Sequence, residues 1–99
     1  MVTYEVTAIV DAALAADFER YMAEIHIPDV LATGHFSSAT FSSDGGSYRI
    51  RYESANREKL ETYFGRDADR LRDDVKKHFP EGIELSRRIW DMVAEFTSP

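Results

Sequence analysis

Apolar residues recur along this chain with two different periods, and each period marks an element. From Val2 to Val10, Tyr4, Val6, Ala8 and Val10 share one parity while Thr3, Glu5 and Thr7 share the other, with Ile9 the exception. Tyr48 to Glu53 alternates without exception, setting Tyr48, Ile50 and Tyr52 against Arg49, Arg51 and Glu53. Strand side chains point to opposite faces in turn, so both stretches read as strands buried on one side. Leu14, Phe18, Tyr21, Met22 and Ile25 instead follow the spacing of an amphipathic helix, as do Leu60, Phe64, Ala68, Leu71 and Val75.

Turn-forming residues supply the boundaries. Asp11 is placed to cap the first helix, and Pro28 stops that helix or begins a short second turn, with Ile27 biased toward an extended backbone. Val30 to Thr33 form one further turn, closed by Gly34 in the left-handed conformation. Phe36 to Ser43 is a serine-rich strand, and Asp44-Gly45-Gly46 is a hairpin signal. Ser54 or Asn56 caps the second helix, and Gly65 predicts a kink or break near Asp67. Pro80 and Gly82 end the helical region. Ile83, Leu85 and Ile89 share a parity in a last strand, followed from about Asp91 by a short helix or tail.

The order is β-α-β-β-α-β, which predicts an α+β, ferredoxin-like single domain over residues 1–99, with antiparallel sheet order 4-1-3-2. Both helices then cover one face of the sheet, and the other face meets water, a ligand or a partner. Burying Arg49, Arg51 and Glu53 beneath the helices would desolvate charges at several kcal/mol each. Burying Tyr48, Ile50 and Tyr52 with Val6 and Leu85 gains roughly 1.5–3 kcal/mol per large side chain. The tyrosines therefore go to the helix side. The open face receives Thr3, Glu5, Thr7 and Ile9, then Arg49, Arg51 and Glu53, then Glu84, Ser86, Arg88 and Trp90.

Composition narrows the function classes. A formal net charge of -6 repels a phosphate backbone. RNA-binding sheets of this topology also display aromatics on the open face, where this chain displays charge. No nucleic-acid partner is expected. The chain has no cysteine, so disulfides, thiolate metal sites and thiol nucleophiles drop out. No apolar run approaches the roughly 18 residues of a membrane span. Met1 to Glu5 has neither the basic region nor the apolar stretch of a signal peptide, so a cytoplasmic protein without a membrane partner is expected.

Several segments carry a resemblance: Tyr4-Glu5-Val6-Thr7, His26-Ile27-Pro28, Leu31-Ala32-Thr33-Gly34-His35-Phe36, Tyr52-Glu53-Ser54 and Ser86-Arg87-Arg88-Ile89. Through them the chain resembles a bacterial family of single-domain proteins of similar length, classed as a domain of unknown function. The resemblance spans nearly the whole chain. It implies a ferredoxin-like protein akin to the dimeric α/β-barrel superfamily, in which two open sheet faces meet. That superfamily includes cofactor-free monooxygenases, haem-handling enzymes, muconolactone-type isomerases and ligand-sensing modules.

Candidate chemistry falls in two places. Glu5, Arg49, Arg51 and Arg88 share the open face of neighbouring strands, with Trp90 at the strand end. Arginine holds carboxylate or phosphate in a bidentate fork, so they could floor a site for a polar or anionic small molecule. The competing reading is a cross-strand ion-pair network that keeps this face polar or crosses a homodimer interface, with Trp90 as an anchor. His26 lies where the first helix gives way to Ile27-Pro28, and as a group titrating near neutrality it could serve as a general base. A histidine capping the helix end is the alternative. His35 could join His26, but two loop histidines without a third ligand do not make a metal site, and no metal or cofactor is expected. His78 reads as dipole-complementary surface. Asp73 with Lys77 and Arg70 with Asp74 read as i,i+4 pairs on a solvated helix face. Three functions compete: a homodimer binding a small molecule on its open face, a purely structural or interaction dimer, and a cofactor-independent enzyme of monooxygenase or isomerase type using His26.

Overall fold

The strict alternation of Tyr48 to Glu53 becomes the third of four antiparallel strands in a computed structural model that describes residues 1–99. The elements are β1 (Val2–Val10), α1 (Ala15–Tyr21), α2 (Ile27–Ala32), β2 (Ser38–Asp44), β3 (Ser47–Ser54), α3 (Arg57–Arg66), α4 (Ala68–His78) and β4 (Ile83–Asp91). The sheet order is β2-β3-β1-β4, so β1 and β3 are central, as their two distinct faces require. Tyr48, Ile50 and Tyr52 are buried beneath the helices. Register places Glu5 opposite Arg51 on one side and opposite Arg88 on the other.

The first helical region differs from its sequence pattern. A 3-10 turn over Ala12–Leu14 leads into α1, and a π turn over Met22–His26 joins α1 to α2 without a break. Asp11 sits at the N-terminal boundary but its side chain makes no capping hydrogen bond. Pro28 does not end the helix, and Ile27 is helical rather than extended, with φ -61 and ψ -46. The physical reason is the wide turn. The Ile27 N–H reaches back to the Met22 carbonyl, one residue further than in an α-helix, and this accommodates a proline that has no N–H of its own. The wide turn also rotates the inward face by one residue. Ile25, which the 3.6 period places in the core, is 47% exposed, and His26 and Ile27 turn inward in its place.

Other boundaries follow the sequence closely. Gly34 adopts φ 82, and the hairpin glycines Gly45 and Gly46 adopt φ 53 and 91. Asn56, not Ser54, caps α3 by accepting a hydrogen bond from the Lys59 N–H at 2.9 Å. Ser54 instead donates to the carbonyls of His35 and Asn56. The break falls at Asp67, between α3 and α4. Phe36 is buried but precedes β2. After Asp91 the chain is irregular rather than helical.

Two aromatic groups fill the layer between helices and sheet. Phe18 of α1 packs on Tyr48, Phe41 and Phe79, with centroids at 5.0, 6.3 and 5.8 Å. Tyr4, Phe36, Tyr52, Tyr63 and Phe64 form the second group, around β1 and α3. The helix layer stops short of β4. Leu85, expected in the core, is 39% exposed, and Ile89 is 40% exposed on the same side. The edge strand is therefore apolar on its helix-facing side without being covered.

Candidate functional site

Beneath the π turn, the inward rotation that expels Ile25 carries His26 to the wall of a cavity between helices and sheet. The cavity holds about 40 Å³, and Tyr4, Tyr52, Tyr63, His26, Arg72 and Arg87 are its polar lining. Tyr4 comes from β1, Tyr52 from β3, Tyr63 from α3, Arg72 from α4 and Arg87 from β4. Val6, Phe18, Met22, Ile50, Val75 and Leu85 complete the wall.

The electrostatics of this space are unusual for an acidic protein. Arg72 donates from Nη2 to the Tyr4 hydroxyl at 3.1 Å, while its Nε is buried without a hydrogen-bond partner. The Tyr52 hydroxyl is also buried and unpartnered, on a residue only 1% exposed. Such groups leave hydrogen-bonding capacity directed at whatever occupies the space. Arg49, Arg51, Arg57 and Arg70 form ion pairs with carboxylates, whereas Arg72 and Arg87, like Arg20, Arg66 and Arg88, do not. Arg72 also lies over the Phe64 ring, at 5.7 Å from its centroid.

Burial lowers the His26 pKa to about 4; Asp29 and Asp74 oppose this and Arg87 adds to it. The imidazole is therefore neutral at pH 7 and able to accept a proton or a hydrogen bond. Burial pushes the Tyr52 and Tyr63 phenols well above their usual value, so both remain protonated donors. Together the groups offer two cations, two phenolic donors and one neutral base around one space.

The open face is organised differently. Arg49 and Arg51 each approach the same Glu5 oxygen at 3.6 Å, and the Trp90 indole N–H donates to the other at 3.4 Å. Arg88 does not pair with Glu5; it lies over the Trp90 ring at 5.5 Å. Thr3 donates to Glu53 at 2.7 Å. The structure thus brings Glu5, Arg49, Arg51 and Trp90 into one network, attaches Arg88 through Trp90, and places His26 on the opposite side of the sheet.

The remaining titratable groups pair locally. His35 stays apart from His26: its Nε2 meets Asp67 at 3.1 Å, and Asp67 also holds Arg70 at 3.2 Å. That contact replaces the expected pairing of Arg70 with Asp74. Asp73 and Lys77 form no ion pair either, consistent with the small worth of exposed pairs. His78 stacks on Tyr21 at 4.3 Å and lies 3.4 Å from Asp17. No three histidine or acidic side chains converge as a metal would require, and no helix is long and apolar enough to cross a membrane.

Sequence reasoning missed Arg72 and Arg87, although both carried a signal. Arg87 has the same parity as Leu85 and Ile89 in β4, a charge in an apolar row. Arg72 follows Ala68 by four residues, at the edge of the α4 apolar stripe.

Fold and site together define a ferredoxin-like α+β protein that encloses its polar cavity under the helices. Solved structures share this fold, three of them over nearly the whole chain. A candidate antibiotic biosynthesis monooxygenase from Deinococcus radiodurans is 17% identical, with a TM-score of 0.73 over 100% of this chain and 99% of its own. An antibiotic biosynthesis monooxygenase at 12% identity has a TM-score of 0.69 over 95% and 100%. A dimeric ferredoxin-like protein from an uncultured marine organism, at 10% identity, has a TM-score of 0.68 over 99% and 100%. Identities this low carry the fold alone. No curated protein matches the chain. Residues 1–93 match the family described as domain of unknown function DUF4286, and the chain belongs to that family.

Proposed function

We propose that this protein is a cytoplasmic homodimer that binds a small organic anion where Arg72 and Arg87 border the cavity beneath its helices. The observation that carries the reading is the meeting of Arg72 and Arg87, neither held by a carboxylate, with the unpartnered Tyr52 hydroxyl. Arg72, half-buried, and Arg87, on the exposed edge strand, both border this one cavity without a carboxylate partner. The expected result is that acetate, followed by calorimetry and amide chemical shifts, binds the wild type and perturbs residues around Tyr52 and Arg72. A hydrogen bond to a charged group contributes about 1.5–3 kcal/mol, so Arg72→Met should weaken acetate binding roughly tenfold or more. Unchanged affinity in a folded Arg72→Met variant overturns the reading.

The open face supports dimerisation better than ligand capture, because Glu5 already engages Arg49 and Arg51. Ile9 and Trp90 are 56% and 44% exposed there, beside that network and Arg88. A buried tryptophan is often worth at least about 2 kcal/mol at an interface, so Trp90→Ala should weaken the dimer roughly thirtyfold. Light scattering after size exclusion across a dilution series checks this; a wild-type monomer at micromolar concentration would refute it.

A second reading, cofactor-independent catalysis of monooxygenase or isomerase type, is favoured by the neutral His26 at the cavity wall. There His26 is the proton acceptor and the arginines stabilise a developing enolate or phenolate. It ranks behind binding because a base with a pKa near 4 gives a weak driving force for proton abstraction at neutral pH.

A further inference from the structure

We infer that the ligand is an amphipathic organic acid, its carboxylate held at Arg72 and Arg87 and its hydrocarbon or aryl body lying in the groove between α4 and β4. This rests on the anion-binding reading above and specifies its ligand class.

Size is the first argument. A cavity of about 40 Å³ has room for about three waters, and an organic body does not fit. The cavity is not alone, however. Arg72, Val75, Leu85 and Arg87 border both it and an adjoining groove of about 290 Å³. Small-molecule sites begin at roughly 300 Å³, a size that the groove approaches and the cavity alone does not. The two arginines stand at the junction, where the head of a two-part ligand would sit.

The lining is the second argument. Val75, Phe79, Pro80, Ile83 and Leu85 give the groove an apolar surface beside its charged residues. This is the region where the helix layer stops short of β4 and leaves Leu85 39% exposed. An apolar body would cover that surface at about 25 cal/mol per Å². Charge selects the head. Arg72, Lys76 and Arg87 face the groove against the single carboxylate of Asp73, on a chain whose net charge is -6. That local inversion of sign favours an anion over a neutral or cationic amphiphile.

Calorimetric titration of the full chain at pH 7 with octanoate, acetate and 1-octanol tests the assignment. Octanoate carries both parts, acetate only the head and octanol only the body. The expected result is octanoate binding at least tenfold more tightly than either of the others. Arg87→Met, on an exposed strand position, should weaken octanoate at least tenfold; Ile83→Ala, at a position that lines the groove but not the cavity, should weaken octanoate and leave acetate unchanged. Arg66→Met, at an exposed position outside both spaces, should change nothing. Equal affinity for acetate and octanoate would overturn the two-part ligand while leaving the anion reading intact. Equal affinity for octanol and octanoate would overturn both, as would no binding of any probe. A loss in Arg66→Met matching that in Arg87→Met would reduce the effect to overall charge and sink the proposal.

Discussion

Replacing Phe18 with alanine should lower the unfolding free energy by about 3–5 kcal/mol. Phe18 is fully buried and reaches three other elements of the fold: Phe41 of β2, Tyr48 of β3 and Phe79 beyond α4. Those four rings join the first helix to the hairpin and to the end of the last helix, so the truncated side chain leaves a void that no single element can close. Domains of this size have about 5–15 kcal/mol of stability in total, and the variant should lose at least about 12 °C in melting temperature. Ile25→Ala is the matched control. A strict helical period puts both residues on one stripe, but the π turn leaves Ile25 exposed, so its loss should stay near 0.5 kcal/mol or less, about the usual surface value. Urea unfolding midpoints for the two variants decide the matter, and similar losses at both positions would mean that the π turn does not form.

The Phe18 and Ile25 contrast also shows where the fold was legible in the residues and where it was not. Strand faces were readable because side-chain alternation is imposed by the backbone and one wrong register would bury Arg49, Arg51 and Glu53 together. The break at Asp67 was readable because Gly65 weakens the helix just before it. The π turn was not, since it depends on which carbonyl one N–H reaches, and hydrophobic spacing does not record that choice. Its only sequence trace was Pro28 set within an apolar pattern that continues to Val30 and Leu31.

The candidate site was hidden for the same reason. His26 stood out as a titratable group at the end of a helix, but its position in the cavity follows from the extra residue in the turn before it. Arg49 and Arg51 stand out in the sequence as charges on the open face, but both are engaged by Glu5. The unpaired arginines that border the cavity, Arg72 and Arg87, lie in or beside the apolar rows of α4 and β4. A cation set in an apolar row was the more informative departure from pattern, because the desolvation it risks has to be offset by a partner.

Acidification should destabilise this protein through His26 from pH 6.5 downward, before most of its carboxylates titrate. The ordinary histidine pKa of 6.5 holds in the unfolded chain, and burial lowers it to about 4 in the folded one. Between those two values the unfolded chain binds a proton that the folded chain excludes, so stability falls as pH falls. Above 6.5 both states carry neutral imidazole and the contribution vanishes; below 4 both are protonated and the full loss has accrued. At about 1.4 kcal/mol per pKa unit, the window from pH 6.5 to 4 contains about 3 kcal/mol. Asp29 and Asp74 reduce the effect and Arg87 increases it, so the shift reports on groups from α2, α4 and β4 meeting around one ring. Urea unfolding of the wild type and His26→Gln at pH 7, 6, 5 and 4 separates this group from the carboxylates, which titrate alike in both proteins. The wild type should lose about 3 kcal/mol more than the variant across the series. A difference that stays constant with pH would put the imidazole in water, and the cavity would then lose its neutral base and one side of its polar wall.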